Sequence, residues 1–404
     1  MTPRTNSASG PLTKALAGLI AALPLFPLFL GCGDAAAPGT CTTASGSICT
    51  WAGTGEPAFN GDGLALRASA LYWPMDVEFA PDGAAYIIDW QNHRVRQADP
   101  GANARLKTVI GTDAIGDGPD DGSETPPGVP GTTINLNHPT DLQIASDGTL
   151  LLAAWHNHKV RRYSPQTGLV ELACGSKPGF SGDDGPAAAA LLNQPKALVV
   201  TPITGEIFVL DTRNFRVRPI QPNGDHVINT VVGIGTAGFS GDGGPPAAAQ
   251  LKFQKPGDNP EPGGALALDR QGRLYIADTE NQRIRRVDFQ ANTIETVVGT
   301  GVAGFSGDGG PATEAAINYP RDMEFGPDGR LYIADSDNHR VRAVDLTTGI
   351  ISTVAGSGEL GFDGDGGPAN LAKLARPFGI GFDPLGNLFI ADTFNNRIRK
   401  VVRQ

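Results

Sequence analysis

The strongest constraint on the fold is a unit that occurs six times along the 404-residue chain. Each copy contains an apolar segment that ends in Asp or, once, in Ala, followed by a turn and a basic segment. These end positions are Asp89, Ala154, Asp211, Asp278, Asp335 and Asp392, spaced by 57 to 67 residues. A period of this length is typical of repeat architectures in which each copy forms one supersecondary unit.

Every unit holds four short runs rich in Val, Ile, Leu, Phe and Tyr that stop at Gly, Asp or Asn, which is the pattern of β-strands. No helical periodicity separates them. The sequence therefore predicts an all-β fold, a six-bladed β-propeller of four-stranded antiparallel blades over residues 47–404.

The ring needs a closing strand, because the last unit ends at residues 397–402 without an outermost strand. An unmatched segment of that type, ICTWAG, stands at residues 48–53. We expect it to complete the last blade and to remove an open sheet edge.

Three turn segments, DWQNHRVR (89–96), AWHNHKVR (154–161) and DSDNHRVR (335–342), resemble the NHL repeat and depart from its Leu in the third letter. Together with the SGDGGPA loop, the resemblance covers residues 47–404. It implies the propeller fold and leaves function open, because one fold hosts many functions. Some propellers of this type are metal-dependent lyases, and other six-bladed propellers are calcium-dependent esterases or lactonases.

The glycine-rich loop, GFSGDGGPA at 304–312, recurs before most units. Its glycines permit positive φ, its Asp can accept backbone N–H bonds, and we favour a structural role. The alternative is calcium, since oxygen side chains stand two apart. These pairs are Asn60/Asp62, Ser181/Asp183, Ser240/Asp242, Ser306/Asp308 and Asp363/Asp365. No cofactor follows with certainty from the sequence, and calcium is the one candidate.

The amino terminus is typical of an export signal: Arg4 and Lys14 precede an uncharged run at 15–30. The following Gly31-Cys32 resembles the lipobox of bacterial lipoproteins, although Phe29 and Leu30 depart from it. We expect a signal peptide over 1–31, lipidation at Cys32 and a flexible spacer over 32–46, with plain cleavage or a retained anchor as alternatives. The predicted location is extracytoplasmic: periplasm, outer membrane or cell surface.

Export permits disulfides, and Cys41 and Cys49 are the expected pair, whereas Cys174 is expected to be a buried thiol. The formal net charge is −10, which disfavours nucleic acid as a partner. The expected partner is a protein or a small molecule, and the expected state is a monomer whose membrane contact is the lipid anchor.

Function is best sought where the six copies differ. The first two blades place Trp after the second strand and His in the same turns. The predicted ligand-binding residues are Trp90, His93, Trp155, His156 and His158, close to Asp76 and Asp141, with His138 nearby. The alternative is that the tryptophans cover a neighbouring loop and the histidines satisfy turns.

The innermost strands are also unequal, because alternation directs Asp76, Glu78, Asp141, Gln143, Asp322 and Glu324 toward the channel, with glycines in blade six. These side chains either form hydrogen bonds between blades with the arginines or hold a cation. The metal candidates are Asp76, Glu78, Asp141, Asp322 and Glu324.

Insertions at 113–135 and 252–264 are expected to form a rim on one face. The sequence thus favours a lipid-anchored binding or scaffold protein that uses its loop-decorated face. The alternative is a metal-dependent enzyme, lyase or esterase/lactonase-like, with its site at the channel mouth. The sequence does not identify the ligand or establish any catalytic activity.

Overall fold

The structure is a computed structural model that describes residues 41, 43–118, 125–222, 226–255, 257 and 261–403. The predicted signal peptide, Cys32 and most of the predicted spacer lie outside these residues. The described chain consists of β-strands and single-turn 3-10 helices. Within it, no helix is both long and apolar enough to cross a membrane.

Six antiparallel sheets form the predicted six-bladed propeller, which confirms the fold. From the innermost strand outward, blade 1 comprises Pro74–Phe79, Ala85–Asp89, Arg94–Ala98 and Arg105–Ile110. Blade 2 comprises Pro139–Ile144, Leu150–Ala154, Lys159–Ser164 and Leu169–Cys174. Blade 3 comprises Pro195–Val200, Ile207–Asp211, Arg216–Ile220 and Val227–Ile228.

Blade 4 comprises Leu266–Leu268, Leu274–Asp278, Arg283–Asp288 and Thr293–Val298. Blade 5 comprises Pro320–Phe325, Leu331–Asp335, Arg340–Asp345 and Ile350–Ala355. Blade 6 comprises Gly379–Phe382, Leu388–Asp392, Arg397–Val401 and Ile48–Ala52. Two-residue strands Leu64–Ala65, Val129–Pro130 and Gly185–Pro186 extend blades 1, 2 and 3 at their outer edges.

Each blade also has a 3-10 turn between its second and third strands. These turns are Trp90–Asn92, Trp155–Asn157, Thr212–Asn214, Thr279–Asn281, Ser336–Asn338 and Thr393–Asn395. A second set ends the connections that enter the blades: Leu66–Ala68, Gly131–Thr133, Ala187–Ala189, Pro246–Ala248, Ala312–Glu314 and Ala369–Leu371.

The amino-terminal strand closes the ring as predicted. Ile48–Ala52 pairs antiparallel with Arg397–Val401, with Ile48 opposite Val401 and Thr50 opposite Arg399. Trp51 packs edge-on against Phe389, with ring centroids 5.1 Å apart. A disulfide joins Cys41 to Cys49, so the chain that precedes the strand is tied to it.

The alternating strand directions define two faces. The glycine-loop face carries the starts of the innermost strands, the glycine-rich loops and the 3-10 turns after the second strands. The opposite face carries the turns after the innermost strands, such as residues 80–84 and 326–330. The two faces therefore bear different, non-overlapping sets of loops.

The glycine-rich loops have a repeated structural role. In blade 4, fully buried Arg285 binds Asp278 of its own blade at 3.3 Å and Asp242 of the preceding loop at 2.7 Å. Phe239 of that loop lies under the Arg283 guanidinium at 3.9 Å. The same arrangement holds buried Arg96, Arg218, Arg342 and Arg399. Each arginine thus ties its blade to the loop that enters it, rather than directly to a neighbouring blade.

The oxygen side chains considered for calcium have partners within the protein. Ser240 accepts the N–H of Gln250 at 3.2 Å, and Asp242 binds both Arg285 and the hydroxyl of Thr296. Asn60 and Asp363 likewise accept backbone N–H groups of Ala70 and Lys373. These contacts favour the structural interpretation of the loops.

Candidate functional site

A cavity of about 490 Å³ occupies the end of the central channel on the opposite face. Its walls include the channel-facing residues of the innermost strands and the turns that follow them, among them Pro81, Ser146 and Pro202. This volume lies within the range of small-molecule sites. We call this cavity the axial pocket.

Glycines in blade 6 shape the axial pocket. A Cβ on Gly379 would lie 2.2 Å from the carbonyl oxygen of Met75, and one on Gly381 would lie 2.1 Å from that of Val77. The innermost strand of blade 6 therefore packs directly on that of blade 1, and it contributes no side chain at these two positions. Blades 1 and 5, on either side of blade 6, therefore supply the acidic side chains on this side of the channel.

Three channel aspartates bridge neighbouring blades. Asp76 accepts the N–H of Leu142 at 2.9 Å, and Asp141 accepts that of Leu198 at 2.7 Å. Asp322 accepts the N–H of Ile380 at 2.8 Å. The expectation of hydrogen bonds between blades is met, but the partners are backbone amides and not the arginines that we predicted.

The glutamates of the axial pocket lack such partners. Gln143 donates to Glu78 at 3.3 Å, whereas Oε2 of Glu324 is buried without a hydrogen-bond partner. Burial, and next the charge of Glu324, raise the pKa of Glu78 well above its ordinary value. Burial and the charge of Asp322 do the same to the pKa of Glu324. The fold therefore keeps two carboxyl groups close together against an electrostatic penalty.

One lysine supplies positive charge to the channel, and the sequence analysis missed it. Lys196 is buried, and its Nζ donates to the carbonyl oxygen of Arg321 at 2.8 Å. Its charge lowers the pKa of Asp76, but burial and the charge of Asp322 outweigh it and raise that pKa to about 7. A lone lysine at the start of the apolar strand PKALVV was the available signal.

The second insertion reaches the glycine-loop end of the channel. Glu261 binds Arg321 at 2.6 Å and Arg376 through both carboxylate oxygens at 2.8 and 2.6 Å. Arg321 also donates to the carbonyl oxygen of Pro262 at 2.6 Å. Since residues 196 and 321 begin their strands at this face, charged side chains fill this end of the channel.

Within the described residues, no group of three or more His, Cys, Asp or Glu side chains has the arrangement of a metal site. Three of the metal candidates already use a carboxylate oxygen to accept a backbone N–H group: Asp76, Asp141 and Asp322. Glu78 and Glu324 are the two candidates without such bonds.

The tryptophans predicted to form an exposed platform are buried. Trp155 is 1% exposed and Trp90 is 9% exposed, and both belong to the core between blades 1 and 2. The platform interpretation is therefore wrong for these two side chains. The physical reason is that the turn after the second strand points its first residue inward, as it does for fully buried Thr279.

The predicted histidines are partly exposed, and two of them link blades. His93 Nδ1 accepts the N–H of His138 at 3.2 Å, and His158 Nδ1 accepts that of Gln194 at 3.1 Å. The ring of His138 lies 4.6 Å from that of His93 and 5.0 Å from that of His156. Burial lowers the pKa of His138 to about 3 and that of His156 to about 4, so both are neutral at pH 7.

The structure thus brings Trp90, Trp155, His93, His138 and His156 together at the glycine-loop face, with His158 at the next blade boundary. The ring centroids of Trp90 and His138 are 4.5 Å apart, and the ring of Trp155 stacks on that of His156 with centroids 3.9 Å apart. Asp76 and Asp141, predicted to lie nearby, line the axial pocket instead. Sequence reasoning missed Trp73 and Phe394, which stack at 4.9 Å and extend the aromatic group to blade 6.

The ring of six repeated blades, its closing strand and its Asn-x-Arg or Asn-x-Lys turns define the chain as a six-bladed β-propeller whose repeats resemble the NHL repeat. Residues 245–345 match the family model of the Teneurin NHL domain.

Two curated relatives are similar to parts of this chain. The chain is 25% identical over 308 residues to Protein SUPPRESSOR OF QUENCHING 1, chloroplastic, of Arabidopsis thaliana, a match that covers 73% of this chain and 27% of that protein. It is 28% identical over 230 residues to human NHL repeat-containing protein 2, covering 51% of this chain and 30% of the relative. The chain thus spans less than a third of the length of either relative.

A solved structure has a similar fold: an auxiliary nutrient binding protein from Bacteroides thetaiotaomicron, with a TM-score of 0.62 and 16% identity. The match covers 87% of this chain and 75% of that one. At this identity, the similarity shows the fold alone.

Proposed function

We propose that this propeller is a binding protein whose axial pocket takes a small cationic ligand. The observation that carries the proposal is the buried, unpartnered Oε2 of Glu324 beside the carboxyl group of Glu78. A buried carboxyl group without a partner is costly to ionise, and a cation from solution that displaces its proton would supply the missing partner. A binding role agrees with the structural similarity to the auxiliary nutrient binding protein.

The pocket glutamates make binding dependent on pH. A carboxyl group with a raised pKa holds its proton until higher pH, and a cationic ligand must displace that proton. The affinity is therefore expected to fall as the pH is lowered, and protonation of Asp76, whose pKa is raised to about 7, adds to this fall.

Glu324→Gln is expected to weaken binding of an organic cation by about 10- to 100-fold, the value of a hydrogen bond to a charged group. Calorimetric titration of the purified protein with methylammonium, hexylammonium, spermidine and Ca²⁺ measures this. The matched control is Glu314→Gln, since Glu314 is exposed. The same E324Q variant should become more stable than the parent, by about 0.5–2 kcal/mol, as the pH rises and Glu324 of the parent is forced to ionise, because Gln carries no charge at any pH.

No binding by any cation of the series at pH 8, or equal binding by the parent and E324Q, would contradict the proposed function. Tight binding of Ca²⁺ alone would instead support the alternative function, a metal-dependent enzyme that uses Glu78 and Glu324.

The glycine-loop face is the second candidate surface, for a protein or small ligand. The indole N–H groups of Trp90 and Trp155 are buried without an acceptor. In blades 4 and 6, the same turn position is Thr279 and Thr393, whose hydroxyls donate to Pro320 and Pro74 of the next blade. In the first two blades, Trp stands at this position and the hydrogen bond to the next blade is not made. This difference favours a further role for the turns of these two blades.

We also propose that Cys32 is acylated and anchors the propeller outside the cytoplasm. The support is the lipobox-like junction, which lies outside the described residues. Mass spectrometry of the mature amino terminus is expected to show an acylated Cys32, and Cys32→Ser is expected to release the protein from the membrane fraction. A mature chain that begins at another residue would contradict this proposal.

A further inference from the structure

The walls of the axial pocket differ in polarity. The channel-facing residue of the same register position in blades 1 to 6 is Glu78, Gln143, Val199, Ala267, Glu324 and Gly381 in turn. Blades 1, 2 and 5 thus present carboxyl and amide groups, whereas adjacent blades 3 and 4 present hydrocarbon. Leu266 and Leu268 add to this apolar wall.

Among the described residues of the pocket, Asp269 is the acid that follows the apolar strand of blade 4, and its carboxylate already binds Arg273 at 2.6 Å. Val199 and Ala267 are 8% and 5% exposed, and Leu266 is 5% exposed. A ligand with several positive charges, such as spermidine, would have to place its second ammonium group against hydrocarbon or take a carboxylate from its partner within the protein, and both are unfavourable. A fully hydrated metal ion would leave this wall unused.

We propose that the ligand is a monoamine with an apolar chain, with its ammonium group against Glu78 and Glu324 and its chain against Val199, Ala267 and Leu268. The proposal rests on the proposed function, because it assumes that the axial pocket binds a cation. It adds the class of ligand: an alkyl or arylalkyl amine in place of a polyamine or a metal ion. The cavity of about 490 Å³ has room for such a chain.

The test is a titration series of methylammonium, propylammonium and hexylammonium at pH 8, with hexanol and spermidine as further probes. Each added methylene group that enters the apolar wall is expected to tighten binding by about fourfold. Hexylammonium should therefore bind more tightly than spermidine, and hexanol should bind far more weakly because it lacks the charge.

Val199→Thr replaces one methyl group of the apolar wall by a hydroxyl group of similar size. It is expected to reduce the affinity for hexylammonium by about fivefold or more and to leave methylammonium binding unchanged. Ala267→Ser offers the same test at the neighbouring blade should the first variant fold poorly. Thermal melts of both variants confirm that the propeller is intact.

Each outcome separates the two proposals. Ammonium ions that bind without dependence on chain length, or spermidine that binds more tightly than hexylammonium, would overturn the monoamine and leave the cation site standing. No binding of any ammonium ion, or hexanol that binds as tightly as hexylammonium, would overturn both.

Discussion

Deletion of residues 47–53 is expected to destabilise the propeller by at least about 5 kcal/mol, which is comparable to the entire stability of many domains. The deletion removes fully buried Ile48 and Ala52 and the pairing with Arg397–Val401. It also exposes the outer edge of blade 6, because the third strand of that blade loses its neighbour. Thermal and urea unfolding of the purified variant measure the loss.

Two controls isolate the strand from its surroundings. Cys41→Ser breaks the disulfide but leaves the strand in place, and it is expected to have a smaller effect. A deletion of similar length within the first insertion, residues 119–124, removes no described strand. A melting temperature for the 47–53 deletion equal to that of either control would show that the ring does not depend on this closure.

The sequence was sufficient to predict the propeller because the repeat and the strand pattern constrain each other. Six units of four short strands leave few architectures, and the unmatched segment at 48–53 had a single vacant place in the last blade. Period-two alternation also assigned Glu78 and Glu324 to the channel correctly, since it depends only on strand geometry.

Side-chain burial in the turns was not predictable in the same way. Trp90 follows Asp89 and Trp155 follows the apolar strand Leu150–Ala154, and neither context reveals that the first residue of each turn points inward. The position of fully buried Thr279 is equivalent, but a small residue gives no signal of burial. Exposure in a one-turn helix depends on the packing of the neighbouring blade, which a local pattern does not encode.

The chemistry of the axial pocket was equally hidden, because it arises from several blades at once. The positive charge of Lys196 acts on the aspartates from across the channel. Gly379 and Gly381 allow the innermost strands of blades 6 and 1 to pack closely. Neither effect follows from any one repeat. The sequence identified the acidic residues, while the structure separates the three aspartates that hold blades together from the two glutamates left without comparable partners.

Trp155→Ala is expected to reduce the free energy of unfolding by about 3–5 kcal/mol, as removal of a large buried aromatic side chain does. Trp155 is 1% exposed, packs in the core of blades 1 and 2, and stacks on His156 at 3.9 Å. Urea unfolding measures the change. The matched control is Trp73→Ala, which removes a partly exposed indole from the same aromatic group and should have a smaller effect.

Trp155→Phe separates packing from the indole N–H group, because it retains most of the ring and removes the donor that has no acceptor. If the indole acts only through packing, the free energy of unfolding of this variant is expected to fall by less than about 2 kcal/mol. The variant is then also expected to bind the cations of the axial pocket like the parent. The pocket opens on the opposite face, so a change at this turn leaves its glutamates in place. Trp155→Ala that melts like the parent would show that the side chain is not part of the core, and it would restore the exposed platform as the function of this face.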